Sequence, residues 1–333
     1  MRAKLICGDA QNAITQLPEQ SIDCIVTSPP YFHQRDYHTG YWIGGDVNCD
    51  HRKKSTRNDL RNHKPGIFGG WSQGAPHYDY IMYNKQCKKC GAVRVDQQIG
   101  MEGTLNEYIE RLVSVFDSVR HVLKKQGTMF IVLGDTYYYK TKTDNSNFFD
   151  EKTGIHLQYK EGCLMLIPYL LALTLIERGW YIRQLIVWHK PNALPEPFHK
   201  RFKNDYEIII FATQNRDYFF DKTQATEISV HTARPRLARS VWSVPVGQAP
   251  GTHSAVMPIA VAEKCILTGC PPEGTVLDPF CGSGTVLITA LKNNRHAIGI
   301  DLSQKYIEIA AQRIQKETGI YPEVHHNEKE EKL

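Results

Sequence analysis

Residues Thr275-Val-Leu-Asp-Pro-Phe-Cys-Gly-Ser-Gly-Thr285 read as a short apolar strand, a glycine turn and the start of an apolar helix. Glycines 282 and 284 let the main chain approach a ligand closely, and Asp278 at the strand end can accept hydrogen bonds from an ammonium or a hydroxyl group. A second strand, His296 to Ile300, leads to Asp301, where an acid is placed to hold a ribose diol. The stretch is not a dinucleotide fingerprint. Position 287, where a third glycine would stand, is Leu, and an acid ahead of the turn repels a pyrophosphate. The pattern therefore favours a cationic, phosphate-free ligand.

Outward from this turn, apolar runs alternate with helical periodicity, the pattern of an α/β sheet with helices on its faces. The strand candidates are Lys4 to Cys7, Ile22 to Thr27, Thr128 to Leu133, Tyr181 to Trp188, Glu207 to Thr213, Thr275 to Leu277 and His296 to Ile300. Helices are predicted over Leu105 to Leu123, Leu164 to Arg178, Pro258 to Leu267, Val286 to Lys292 and Gln304 to Gln315. The tail from Glu323 is charged and expected to fray.

Asp23-Cys-Ile-Val-Thr-Ser-Pro-Pro-Tyr31 is an apolar strand that stops at two prolines. Proline fixes the chain and pushes the residue before it out of helical geometry, so Ser28 and the Pro29 carbonyl sit in a rigid turn at a strand end. In an open α/β sheet that is where ligands bind. Fixed acceptors beside an aromatic ring suit the orientation of an exocyclic amine while its base stacks.

Asp278-Pro-Phe-Cys-Gly-Ser-Gly-Thr285 closely resembles the S-adenosylmethionine motif of the DNA amino-methyltransferases, and Ser28-Pro-Pro-Tyr31 resembles their catalytic motif. The resemblance implies a circularly permuted, Rossmann-like methyltransferase sheet with helices on both faces, here with two insertions. The catalytic motif precedes the cofactor motif, which matches the β arrangement of the family. It further implies that the Ser28 hydroxyl and the Pro29 carbonyl bind the amine, that Pro30 shapes the turn, and that Tyr31 stacks on a base flipped out of duplex DNA. Ser in the first position is typical of cytosine-amine enzymes and Asp is common in adenine enzymes, so N4 of cytosine is the preferred target and N6 of adenine the alternative. An inactive DNA-binding protein of the same fold is a further alternative, opposed by the two intact motifs. The cofactor residues implied are Asp9, which follows the strand ending Ile6-Cys7-Gly8, together with His253, Asp278, Phe280, Gly282, Ser283, Gly284, Thr285 and Asp301. Asp135, in Leu133-Gly-Asp-Thr-Tyr137, would lie near the target pocket. Lys190 belongs to a stretch running from Trp188 through Arg201-Phe202 to Tyr206-Glu207 that resembles the late catalytic motifs, and is expected to line the base pocket or meet DNA.

The domains expected are a catalytic half at 1–31 and 101–213, an insertion at 32–100, a target-recognition region at 214–252, a cofactor half at 253–322 and the tail at 323–333. The first insertion is polar and too long for a plain loop. Its Cys49, His51, Cys87 and Cys90 form a candidate structural zinc site, with Gly91 permitting the knuckle turn; His63 or His77 can substitute as a ligand, and free thiols are the alternative. Between the two halves of the site lies a basic run that begins Arg52-Lys53-Lys54, a candidate for phosphate contact. In the second insertion Arg234, Arg236 and Arg239 are candidates for reading guanines or holding phosphates.

The net charge of +5 is too small to indicate a polyanionic partner by itself, and the clustering of these cations says more. Double-stranded DNA is the expected partner, with a cognate restriction endonuclease as a candidate companion. No run approaches the roughly eighteen apolar residues of a membrane span, so a cytoplasmic location is expected. The nine cysteines are scattered, which argues for reduced thiols or a metal site over a disulfide framework. None is needed as a nucleophile. A carbon-5 methyltransferase requires a Pro-Cys pair, and this chain has only the reverse, Cys270-Pro271, while Cys281 reads as packing.

Overall fold

The computed structural model describes residues 1–37, 39–54, 80–82, 86–139, 147–150, 154–193, 200–229, 232–247 and 257–326. Nine strands make one sheet: β1 (Ala3–Cys7), β2 (Ile22–Thr27), β3 (Leu123–Leu133), β4 (Tyr181–His189), β5 (Tyr206–Thr213), β6 (Val241–Ser243), β7 (Thr275–Asp278), β8 (His296–Asp301) and β9 (Glu323–His326). Across the sheet they run β6-β4-β5-β3-β2-β7-β8-β1-β9. From β3 to β9 every neighbouring pair is parallel, while β5 runs antiparallel to both β3 and β4. All six residues of β2 are buried, as expected of a central parallel strand covered on both faces.

Among the described residues six helices flank the sheet: α1 (Ala10–Ile14), α2 (Leu105–Val122), α3 (Ile167–Glu177), α4 (Ile259–Gly269), α5 (Thr285–Lys292) and α6 (Gln304–Thr318). The first three share one core, which includes Ile14, Leu112, Phe116 and Leu171. The other three share a second core on the opposite face, with Val261, Ile266, Leu287 and Ile314. Helix α2 starts where Thr104 and Glu107 close a capping box, and it buries Leu105, Ile109, Leu112, Val113, Phe116 and Val119 along one stripe. No helix among the described residues is long and apolar enough to cross a membrane.

Each expected strand and helix is present, with shifted ends. Strand β3 begins at Leu123, directly out of α2. The tail differs from expectation at its start. Glu323–His326 does not fray but pairs in parallel with β1, Lys4 opposite Glu323 and Cys7 opposite His326. All four residues are exposed, so the strand is held by its backbone ladder and carries no apolar signal; residues 327–333 lie outside the described ones.

The two insertions are also rooted in the main domain. Phe32 and Ile99 at the base of the first are buried in the α2-side core. Above them Tyr41–Ile43 pairs with Val93–Val95, and Arg52–Lys54 with Tyr80–Met82. Within 214–252, residues Val241–Ser243 join the sheet as β6, Trp242 is buried, and Tyr218 and Phe220 pack on Phe211 of β5. The part that stands off is the hairpin of Thr226–Ile228 with Pro235–Leu237.

Candidate active site

Strands β2 and β7 lie side by side, Cys24 opposite Val276 and Ile25 opposite Leu277, so the proline turn and the glycine turn leave the sheet at the same edge. They are joined there. The Thr27 hydroxyl donates to Asp278 Oδ1 at 2.6 Å, and both residues are buried. The same oxygen accepts from the Phe280 amide at 3.1 Å. Burial pushes the Asp278 carboxyl up to about 7 against these two bonds.

Asp301 ends β8, next to β7. Its Oδ2 accepts from the Gly282 amide and its Oδ1 from the Ser303 amide, each at 2.9 Å, and burial raises it to about 6. Gly282 has φ 48° and nothing within 4 Å of where a Cβ would be, leaving open space over the turn. Gly284 has φ 82° and lies against α6, where a Cβ would come 3.1 Å from that of Ala310. A buried Asp278, a partly buried Asp301 and an open glycine turn fit a cationic nucleoside such as S-adenosylmethionine.

Ser283 and Thr285 are also tied to α6: their hydroxyl oxygens accept from Arg313 at 2.9 and 3.3 Å, fastening the turn. Asp9 caps α1 through the Asn12 amide, and the adjoining Gly8 amide donates to the Asp301 carbonyl, so Asp9 borders the same cleft. His253 lies outside the described residues. Tyr37, which sequence reasoning missed, stands edge-on to Tyr306, and the charge of Asp301 reaches it. It is held there by Gln98, whose Oε1 accepts from the Tyr37 amide and whose Nε2 donates to the Arg35 carbonyl.

On the β2 side the Ser28 hydroxyl donates to the Tyr31 hydroxyl in a long contact of 3.4 Å, and Tyr31 donates to Glu207 Oε2 at 2.7 Å. The second oxygen of Glu207 takes the Lys190 ammonium. Burial, with the Glu207 charge beside it, pushes the Tyr31 phenol well above its usual range, so it stays a donor. The direction of the whole chain follows from the ion at its end. Glu207 only accepts, Tyr31 must therefore donate to it, and the Tyr31 oxygen is left to accept from Ser28. Ser28 then faces the cleft with lone pairs. Gly134 lets the ring lie where it does, since a Cβ there would come 2.7 Å from Tyr31 Cε2. Tyr108 donates to the Pro30 carbonyl at 2.8 Å and fixes the second proline.

A profile of the DNA methylase family matches residues 22–312. The chain belongs to the DNA methylase family. Methylases of this family act on DNA and draw the methyl group from S-adenosylmethionine. The methylase is 31% identical to the type II methyltransferase M.SmaI of Serratia marcescens, over 93% of this chain and 90% of that one. It is 30% identical to M.Cfr9I of Citrobacter freundii, over 95% and 88%. In fold it is similar to the PvuII DNA methyltransferase (cytosine-N4-specific), at TM-score 0.60 with 16% identity, covering 98% of this chain and 95% of that one. It is also similar to a DNA modification methylase of Thermus thermophilus in complex with S-adenosyl-L-methionine, at TM-score 0.56 with 21% identity and 98% of both chains.

Other predicted residues fall in different places. In the methylase Lys190, its side chain largely buried, pairs with Glu207 and lies over the Trp188 ring. Asp135 caps the start of α3: its Oδ1 accepts from the Ile167 and Thr136 amides, and burial pushes it up to about 6. Its Oδ2 is buried with no hydrogen-bond partner among the described residues. Arg236 and Arg239 both pair with Glu227, at 2.7 and 3.8 Å, Arg239 from an exposed position, and Arg234 is exposed. Arg52 is exposed, and Lys53 and Lys54 follow it in the same strand. Cys281 packs under Gly299, as its place in the turn suggests.

In the insertion of the methylase the ligand atoms of Cys49, His51, Cys87 and Cys90 all lie within 4.8 Å of one another. Cys49 Sγ and Cys87 Sγ are 3.7 Å apart, and Cys90 Sγ and His51 Nδ1 3.5 Å. The turn forms as its residues dictate: Gly91 has φ 79° and its amide donates to the Cys87 carbonyl at 2.8 Å. Backbone hydrogen bonds at Ala92 and Asp46 hold the Cys90 thiol down at about 6, favouring the thiolate. Trp42 stacks on the His51 ring at 4.4 Å. His63 and His77, the alternative ligands, lie outside the described residues.

Proposed function

We propose that the methylase transfers a methyl group to the exocyclic N4 amine of cytosine, flipped out of a specific duplex sequence. The observation that carries this reading is the chain Ser28, Tyr31, Glu207, Lys190, which leaves the Ser28 oxygen as an acceptor beside the Pro29 carbonyl. Bound S-adenosylmethionine supplies a methyl carbon on a positively charged sulfur. Ser28 and Pro29 hold the two N–H groups of the amine, so that its lone pair is free to form the N–C bond as the C–S bond breaks and one amine proton is released. Positioning and electrostatics do most of the catalytic work, and no covalent enzyme intermediate is needed. Ser at position 28, in place of the Asp common in adenine enzymes, favours cytosine.

Incubation with S-adenosylmethionine and mixed-sequence duplex DNA, followed by digestion to nucleosides and mass spectrometry, tests the assignment. N4-methylcytosine is the expected product. N6-methyladenine would overturn the choice of base while keeping the chemistry.

The four-residue cluster is proposed to hold a structural zinc ion. Tetrahedral zinc with Zn–S bonds of about 2.3 Å sets two thiolates about 3.7 Å apart, and a thiolate and an imidazole about 3.5 Å apart. The spacings here match both. Elemental analysis should give about one zinc per chain, and a strong chelator should lower the melting temperature. Metal-free protein that melts unchanged after chelation would sink the proposal. The exposed hairpin around Arg234 is proposed to take part in DNA recognition, and a cognate restriction endonuclease to accompany the enzyme.

A further inference from the structure

Phe202 is 97% exposed, and no other Phe, Tyr or Trp among the described residues reaches that value. An aromatic ring held wholly in water is a poor use of apolar surface unless something covers it during function. Three features of its setting say what does.

First, the ring is mounted on a fixed base. The neighbouring Arg201 lays its guanidinium over the Tyr137 ring at 3.4 Å, and the neck of the loop is closed by the Lys190 amide donating to the Asp205 carbonyl at 2.7 Å. Second, it is close to the proposed base pocket. Phe202 lies five residues before Glu207, the carboxylate that holds Tyr31, so the chain cannot place it more than about 18 Å from that residue. Third, its neighbours Lys200, Arg201 and Lys203 are cations, with Lys200 and Lys203 exposed beside it. That charge suits a phosphate backbone.

We propose that Phe202 is the wedge that enters the base stack as the target nucleotide leaves it. Flipping a base removes its stacking and leaves an apolar gap in the duplex, and an inserted aromatic ring fills such a gap. The proposal rests on the base-flipping reading of the site, and it is indifferent to which base is methylated.

The test compares wild type, Phe202→Ala and Phe202→Trp in single-turnover methylation of two duplexes carrying the sequence that the enzyme modifies. One duplex is fully paired; in the other the target base faces an abasic site, so that no pair has to be opened. On the paired duplex Phe202→Ala is expected to be at least tenfold slower than wild type, with Phe202→Trp close to wild type. On the abasic duplex the Phe202→Ala deficit should shrink to less than twofold, with calorimetric S-adenosylmethionine affinity unchanged throughout. An equal deficit on both duplexes, or none on the paired one, overturns the proposal. Only ratios taken on the same duplex bear on Phe202, whereas the base that wild type modifies bears on the proposed function alone.

Discussion

Ser28→Ala is expected to lower turnover on the order of a hundredfold while leaving S-adenosylmethionine affinity within about twofold of wild type. The substitution removes one of two acceptors for the amine and touches nothing that contacts Asp278 or Asp301. Tyr31→Ala should fall at least as far, because it removes both the stacking ring and the link from Ser28 to Glu207. Tyr31→Phe separates these two roles. It keeps the ring, breaks the chain of hydrogen bonds, and should lie between wild type and Tyr31→Ala. Calorimetry with the cofactor and single-turnover methylation of duplex DNA measure the two quantities separately. Wild-type turnover in Ser28→Ala would remove Ser28 from the catalytic assignment.

Asp278→Ala should show the opposite split, with cofactor binding weakened by ten- to a hundredfold, in the range of a lost charge-assisted contact. The wild-type protein should reveal the same carboxylate through pH. Asp278 is raised to about 7 and Asp301 to about 6 by burial, so the ligand-free protein keeps their neutral forms to a higher pH than free carboxyls do, and a cationic ligand favours the ionised ones. Affinity must therefore rise with pH, by about twentyfold between pH 5.5 and 7.5 from Asp278 alone. Stability without ligand changes in the other sense. A raised carboxyl contributes stability that is complete below the unfolded-state value and is lost as pH climbs through the folded-state value, so this contribution fades between about pH 4 and 7. Thermal shifts on adding S-adenosylmethionine should widen across that window; a shift independent of pH would exclude Asp278 from the cofactor site.

Both turns were legible in the sequence because each is a local signal: a strand stopped by Pro29 and Pro30, and a strand released by Gly282 and Gly284. Their adjacency was not. It depends on β2 pairing with β7 across most of the chain, and the Thr27 hydroxyl that joins them looks like any strand threonine. Glu207 was visible as the start of a strand at the end of the late-motif stretch, but nothing near it in sequence announces a partner 176 residues earlier. Lys190 was visible as a cation in that stretch, expected to line the base pocket or meet DNA, and its pairing with Glu207 was not. Arg313 gave no signal, because its partners in the glycine turn were already explained as ligand contacts. The Cys-x-x-Cys pair was clear, and Cys49 and His51, expected to complete it with His63 or His77 as substitutes, lie beside it in the structure. Strand β9 was missed for want of any apolar residue turned inward.

The bond between Thr27 and Asp278 also separates two cups of unlike electrical character. On one side, Lys190 cancels Glu207 and leaves a wall of no net charge. On the proposed function, an uncharged nucleobase enters there without bringing or displacing an ion, while a phosphate gains nothing by following it. On the other side, no counter-ion pairs with Asp278 or Asp301 among the described residues, and a molecule that carries positive charge would complete them. On that proposal, one hydrogen bond of 2.6 Å lies where the chain sorts its two substrates by charge before shape is consulted.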